Sequence, residues 1–213
     1  MNKNLTELVF ILDRSGSMSG LEDDTIGGFN SFIEKQKRVD GECLVSTVLF
    51  NQTSKVVYDR VSLQDIRKMT RDDYLPSGCT ALIDAMGDAI HHIRNVHKYI
   101  RKEDVPEKTI FVIITDGMEN ASKRYSSDDV KKTVSKQKEE GWEFLFLAAN
   151  IDAVETAKQY GIDEDRSVRF NSDSKGHRKN YKVLSDVVEC CRMNQAIQED
   201  WAAEIKEDYE SRK

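Results

Sequence analysis

The sequence predicts an α/β fold of the doubly wound class, in which helices cover both faces of a mainly parallel sheet with one antiparallel edge strand. Two observations lead to this prediction. Short segments that are apolar on both faces alternate with longer segments of helical periodicity, and such strands are typical of parallel sheets buried on both sides. The 213 residues also contain no Pro- or Ser-rich linker, which favours one domain over 1–213. The doubly apolar segments are Glu7–Leu12, Thr109–Thr115 and Trp142–Ala149.

The first strand is followed by the elements of the antiparallel edge. Apolar residues at helical spacing predict a helix from about 22 to 38. Glu42–Phe50, rich in Val, Leu and Thr, is predicted as the second strand. A turn at 51–54 then leads into Lys55–Tyr58, which we expect to return antiparallel at the sheet edge. A short helix is predicted near Leu63–Met69.

The C-terminal part continues the alternation of helices and strands. The helix beginning near Thr80 has the clearest apolar stripe in the chain. Ser126 or Ser127 is a suitable N-cap for the next helix, although Ser126-Ser127-Asp128-Asp129 could also be interpreted as acidic metal ligands. We expect the core to span about 6–205 and the polar tail 206–213 to fray. The remaining predicted elements are helices over 80–100, 128–140, 152–160 and about 178–210, and a short strand at 167–170.

Composition excludes several classes of function. The net charge of −6 makes nucleic acid a poor partner, because phosphate binding needs a concentrated basic surface. No segment approaches the ~18 consecutive apolar residues of a membrane span, and the N-terminus lacks the apolar core of a signal peptide. The four cysteines show neither CxxC nor Cys/His ligand spacing. We therefore expect reduced thiols in a cytoplasmic protein.

The most informative segment follows the first strand directly, at residues 13–20. Asp13, Ser15 and Ser17 alternate there, and a turning loop could direct all three oxygens at one point. Carboxylate, hydroxyl and water oxygens suit Mg²⁺, Ca²⁺ or Mn²⁺. Asp and Ser are also preferred helix N-caps, so this segment alone leaves both interpretations open.

Two further segments favour the metal interpretation. Thr80 ends the loop 77–80 in front of a helix, and Asp116 follows the strand Thr109–Thr115. Ligand sites in doubly wound folds lie at the carboxyl ends of the strands, so Asp13 and Asp116 are expected on the same rim. The order DxSxS…T…D, with this order of strands and helices, resembles the von Willebrand factor type A (vWA) domain family. The resemblance covers nearly the whole chain.

This resemblance implies a Rossmann-like vWA fold with a metal-ion-dependent adhesion site (MIDAS). Asn120 also matches a common family pattern, without being a ligand itself. The implied metal ligands are Asp13, Ser15, Ser17, Thr80 and Asp116.

The charge of this ligand set suggests what the site does. The five ligands carry at most two negative charges, and three of them are neutral hydroxyls, so we expect a divalent cation to be incompletely neutralised. Mg²⁺, or Mn²⁺ or Ca²⁺ in its place, would keep a water-filled position that a partner protein's Glu or Asp carboxylate can take. We therefore expect a divalent-cation-dependent protein-binding domain, an intracellular adaptor or scaffold without catalytic activity.

A metal-dependent hydrolase acting on phosphoesters is the alternative. A haloacid dehalogenase phosphatase also places an Asp after its first strand, but it needs a second Asp two residues later, where this chain has Ser15. A hydrolase would also need a general base near the ion. The nearest histidine on the helix beginning at Thr80 is His91, roughly 16 Å away along the helix axis.

Two other residues of the metal loop, Arg14 and Met18, cannot ligate a hard cation usefully. Loop tips on rigid scaffolds often carry recognition, so we predict that both contact the partner around its carboxylate. The alternative for Arg14 is an ion pair with a local acid, Asp23 or Asp24.

Overall fold

The computed structural model describes residues 1–212, which form one six-stranded sheet in the order β3-β2-β1-β4-β5-β6. Strand β3 pairs antiparallel with β2 at one edge, and all other neighbours are parallel. The predicted fold class is confirmed. The strands are β1 (Asn2–Asp13), β2 (Glu42–Phe50), β3 (Ser54–Ser62), β4 (Pro106–Thr115), β5 (Glu143–Ala148) and β6 (Ser167–Arg169).

Helices cover the sheet on both faces, and the central strand shows why. Side chains alternate across a strand, so Leu8, Phe10 and Leu12 of β1 pack into one core while Val9 and Ile11 pack into the other. The first core also contains residues of α1, α5 and α6, and the second those of α2, α3 and α4. The helices are α1 (Glu22–Gln36), α2 (Leu82–Tyr99), α3 (Ser127–Glu139), α4 (Ala153–Gln159), α5 (Ser174–Arg192) and α6 (Ala203–Glu210).

Close packing of α1 on α5 depends on one glycine. A Cβ placed on Gly28 would lie 2.1 Å from Cδ2 of Tyr181, a ring that is almost fully buried. Gly27, one residue earlier, has no atom within 4 Å of such a Cβ. Gly28 therefore sets how near α5 can approach α1.

The predicted single helix from about 178 to 210 is wrong. Asp173 starts α5 earlier, because its carboxylate accepts a hydrogen bond from Gly176 N at 2.8 Å and caps the helix. The helix ends at Arg192, and Asn194 adopts a left-handed conformation with φ of 62°. The apolar stripe resumes on α6, which turns back to pack on α5 and β6.

The expected frayed tail is also wrong over residues 206–212. Helix α6 continues to Glu210, and Asp208 is only 5% exposed. Its carboxylate forms ion pairs with Lys175 of α5 and with Arg212. Residue 213 of the predicted tail lies outside the described residues.

Smaller differences concern the ends of elements. Strand β1 begins five residues before the predicted start at Glu7, and Asn2 N donates to Val105 O at 2.7 Å. The helix predicted near 63–69 is a single 3₁₀ turn over Leu63–Asp65. Within residues 1–212, no helix has the length and apolarity that crossing a membrane requires.

Candidate metal centre

The loop after β1 is held in place by its first residue. Asp13 is 1% exposed, and its Oδ1 accepts a hydrogen bond from Ser15 N at 2.7 Å. Its Oδ2 accepts one from Thr115 Oγ1 of β4 at 2.6 Å. The buried hydroxyl of Tyr74 donates to the Asp13 carbonyl at 2.5 Å. Asp13 is thus fixed at the carboxyl end of the sheet, as the strand order predicts.

The helix-cap interpretation of this loop is wrong. Helix α1 begins at Glu22 with Leu21 at its N-cap, well beyond Asp13 and Ser15. Ser15 precedes a 3₁₀ turn over Gly16–Met18, but its side chain makes no capping hydrogen bond there. Its hydroxyl is free to face Ser17.

The two loop serines connect to the third predicted ligand. Ser15 Oγ lies 3.0 Å from Ser17 Oγ, and Ser17 Oγ donates to Asp116 Oδ1 at 2.5 Å. Asp116 is 2% exposed and comes directly after β4. The loops after β1 and β4 therefore meet through these side chains.

Thr80 reaches the same place from the loop before α2. Its backbone N donates to Asn120 Oδ1 at 2.9 Å, and Asn120 N donates to the Thr80 carbonyl at 3.0 Å. Asn120, which follows Asp116 in the family pattern, thus holds the Thr80 backbone.

Gly117 marks where the hydroxyls converge. A Cβ placed on this glycine would lie 3.1 Å from Thr80 Oγ1, 3.4 Å from Ser17 Oγ and 3.8 Å from Ser15 Oγ. A single methyl group would thus touch or nearly touch all three oxygens. The missing side chain leaves a small space that these hydroxyls line.

Electrostatics at this point favour a cation. Burial raises the pKa of Asp13, hydrogen bonds from Thr115 and Ser15 oppose that rise, and the nearby Asp116 carboxylate adds to it. Residues 1–212 contain no group of three or more His, Cys, Asp or Glu that could hold a metal ion. The site is instead rich in hydroxyls, and a hard divalent cation fits this all-oxygen donor set.

The structure contradicts the prediction for Met18. Its side chain is 1% exposed and packs in the hydrophobic core with Phe29 and Tyr74, because the 3₁₀ turn directs it inward. It cannot contact a partner. The exposed methionine near the site is Met118, 70% exposed and adjacent to Gly117.

Arg14 remains a candidate for partner contact. It is half-buried, and no ion pair involves its guanidinium within the described part of the chain. The alternative of a local ion pair is wrong, since Asp23 pairs with Arg71 and Asp24 accepts a hydrogen bond from Ser174. The Arg14 backbone is fixed by hydrogen bonds to Phe50 O and from Ser77 N.

The acidic stretch 126–129 is a helix cap and not a ligand group. Ser126 Oγ accepts from Asp129 N at 3.2 Å, and Asp129 Oδ2 accepts from Ser126 N at 3.0 Å. This is a reciprocal capping box at the start of α3.

Three of the four histidines have partners or packing away from this loop cluster. His92 Nε2 lies 2.8 Å from Asp59 Oδ1, and His97 Nε2 lies 3.3 Å from Glu7 Oε2 in the middle of β1. His91 packs edge-on against Tyr125.

The fourth histidine, His177, lies on α5. It is 1% exposed and stacks edge-on against Phe170. Burial lowers the pKa of its imidazole, and Asp116, Asp24 and Asp173 oppose that shift.

Sequence reasoning missed one residue, Ser172. Its Oγ donates to Asp116 Oδ2 at 3.3 Å from the loop between β6 and α5. Ser172 also lines a cleft of 490 Å³ beside the site, together with Ser17, Asp116 and Asn150. No local signal marks Ser172, because only the return of the chain after β6 brings it to the rim.

Comparison with known families decides the classification. The model of the von Willebrand factor type A domain matches residues 7–182, most of the chain. This chain belongs to the von Willebrand factor type A domain family. A comparison with curated protein sequences gave no significant match.

Solved vWA-like structures agree on the fold. The Mfa5 pilus tip domain of Porphyromonas gingivalis has a TM-score of 0.64 at 10% identity, covering 93% of this chain and 98% of its own. Proximal thread matrix protein 1 of the mussel byssus, with a zinc-occupied MIDAS, has a TM-score of 0.61 at 19% identity over 89% of this chain. This chain spans 46% of that mussel chain.

A third structure of similar fold is the manganese-loaded TRAP protein of Plasmodium vivax. Its TM-score is 0.52 at 20% identity, over 70% of this chain and 58% of its own. At such identities the likeness establishes the shared fold.

Proposed function

We propose that this vWA domain binds a divalent cation and uses it to dock a protein partner. The observation that carries the proposal is the convergence of three hydroxyl oxygens around Gly117, beside two buried carboxylates. The zinc and manganese of the mussel and Plasmodium structures support a divalent ion in this family. Our proposed ligands are Asp13, Ser15, Ser17, Thr80 and Asp116.

The sharing of the carboxylate charges supports a partner carboxylate. Asp13 and Asp116 carry at most two negative charges, and both already accept hydrogen bonds from neighbouring residues, so neither gives its full charge to a divalent cation. A bound cation would supply the positive charge that accepts a Glu or Asp side chain from another protein. We expect Mg²⁺ in the cell, because it prefers all-oxygen sites and normally keeps waters that a ligand oxygen can replace.

We propose a binding role without catalysis. The carboxylate nearest in sequence to Asp116 is Glu119, and it is engaged by the N-terminus of α2. Its Oε2 accepts from Ile83 N at 2.8 Å, and its Oε1 accepts from Ser122 N at 2.7 Å. A carboxylate held in this way is a poor general base. A screen of phosphoester substrates with Mg²⁺ or Mn²⁺ tests this, and turnover abolished by Asp13→Ala would favour the hydrolase.

We also propose that the domain acts inside the cell as an adaptor or scaffold. The support is chemical, since Cys43, Cys79, Cys190 and Cys191 are all free thiols. Free thiols of this number suit a reducing compartment. Cell fractionation with an antibody against the native chain tests the location, and recovery outside the cell would contradict it.

Capture of partners from a cell extract tests the docking role directly. We expect partners to be retained with Mg²⁺ and released by chelator, and lost with Ser15→Ala or Thr80→Ala. Ser19→Ala is the matched control, because Ser19 is exposed on the same loop and makes no side-chain hydrogen bond within residues 1–212. Retention by Ser15→Ala, or insensitivity of capture to chelator, would contradict the proposal.

Arg14 provides a second, separate test. We propose that its guanidinium contacts the partner around the carboxylate, so Arg14→Ala is expected to weaken capture while leaving cation binding unchanged. Equal capture by wild type and Arg14→Ala would remove Arg14 from the partner surface.

A further inference from the structure

The Asp116 carboxylate is held from two sides. On one side Ser17 Oγ donates to Oδ1 at 2.5 Å, and on the other Ser172 Oγ donates to Oδ2 at 3.3 Å. The backbone of Asp116 is held as well, since Asn150 Nδ2 donates to its carbonyl at 3.2 Å. Three loops, which follow β1, β5 and β6, therefore fix one residue, and two of them hold its side chain.

Ser172 is itself held by its two neighbours. Asn171 Nδ2 donates to the Asp208 carbonyl of α6 at 3.2 Å. Asp173 caps α5 through Gly176 N at 2.8 Å and pairs with Arg212. The hydroxyl of Ser172 thus reaches Asp116 from a segment attached to both C-terminal helices.

We propose that Ser172 is a positioning residue of the metal site, which fixes the orientation of the Asp116 carboxylate. This inference rests on the proposed cation binding. Ser172 is not part of the DxSxS…T…D ligand set, and its hydroxyl hydrogen-bonds the carboxylate oxygen that Ser17 does not. Hydrogen bonds to metal-ligating carboxylates orient them, and their loss typically weakens metal binding about 10–100-fold. We expect the lower end, about tenfold, because Ser172 is only half-buried and its hydrogen bond is long.

The chain offers an isosteric pair of substitutions for the test. Ser172→Thr keeps the hydroxyl, whereas Ser172→Val introduces a side chain of the same shape as Thr that lacks a hydroxyl. Calorimetric titration of the full chain with Mg²⁺ and with Mn²⁺ measures cation affinity, and the electron paramagnetic resonance spectrum of bound Mn²⁺ reports the symmetry of its ligands. We expect Ser172→Thr to bind like the wild type, and Ser172→Val to bind about tenfold more weakly with an altered Mn²⁺ spectrum.

Controls separate the possible outcomes. Ser19→Ala, a change in the same cleft, is expected to bind like the wild type. Equal affinities and spectra for the Thr and Val variants would overturn the role of Ser172 while leaving the metal site intact. Absence of cation binding in the wild type would instead overturn the proposed function. Thermal unfolding without metal is expected to give similar melting temperatures for the Thr and Val variants. If the loss of cation affinity is instead explained by a lower melting temperature of the Val variant, the positioning role of Ser172 is also rejected.

Discussion

Filling the space at Gly117 is the most direct test of where a cation binds. In Gly117→Ala the new methyl carbon would lie 3.1 Å from Thr80 Oγ1 and 3.4 Å from Ser17 Oγ. Oxygens bind Mg²⁺ at about 2.1 Å, so neighbouring ligands of an octahedron are about 3 Å apart. At these distances from the hydroxyl oxygens, the methyl group would take the position of a neighbouring coordinating oxygen. The substitution therefore removes at least one coordination position of the ion.

The expected loss of cation affinity can be measured from the melting temperature. A ligand at 100 times its Kd stabilises a protein by about 2.7 kcal/mol, and a tenfold weaker affinity removes about 1.3 kcal/mol of that. For a chain of this size we expect the Mg²⁺-induced rise in melting temperature to shrink by roughly 3–5 °C, or to vanish. Differential scanning calorimetry across a Mg²⁺ series measures it.

Gly27→Ala is the control for this experiment. Its Cβ meets no atom within 4 Å, so the substitution adds a methyl group without touching the site. We expect the full Mg²⁺-induced shift in this variant. If Gly117→Ala also keeps the full shift, the converging hydroxyls do not bind the cation, and the reasoning from Gly117 fails.

Three further predictions concern the packing behind the site. Gly28→Ala should lower the free energy of unfolding by about 1–3 kcal/mol relative to Gly27→Ala, because its methyl group overpacks Tyr181. Equal midpoints of urea denaturation for the two variants would contradict this prediction. Burial depresses the pKa of His177, so the unfolded chain takes up a proton that the folded chain does not. The free energy of unfolding should therefore decrease below pH 6.5, by at most about 1.4 kcal/mol per pH unit. His177→Phe should reduce this dependence on pH, and an unchanged dependence in that variant would show that His177 does not cause it. Asp208→Asn should cost about 1–3 kcal/mol and speed hydrogen exchange in α6 first, whereas unchanged exchange there would mean that its ion pairs do not anchor the helix.

Much of the fold follows from local pattern. Doubly apolar runs identify β1, β4 and β5 as buried parallel strands, and side chains that follow such strands must share a rim. This reasoning predicted that Asp13 and Asp116 lie close together, and hydrogen bonds through Ser17 and Thr115 connect their loops. Which oxygens bind the ion stays a prediction.

What sequence reasoning missed depends on contacts between distant segments. The apolar stripe of α5 resumes on α6, so periodicity alone cannot reveal the reversal at Asn194. Likewise the sequence position of Met18 suggests an exposed loop tip, but the 3₁₀ turn directs its side chain inward. Ser172 lies near Asp116 only because β6 returns the chain to this rim of the sheet.

The burial of Met18 bears on how fast and how tightly the proposed partner would bind. Because this side chain lies in the core, we expect the loop that presents Ser15 and Ser17 to be ordered before a partner binds. Ordering a mobile loop on association costs conformational entropy, and this loop loses little. We therefore expect an association rate constant close to that of a rigid surface. Differences in affinity among partners should then come from their dissociation rate constants.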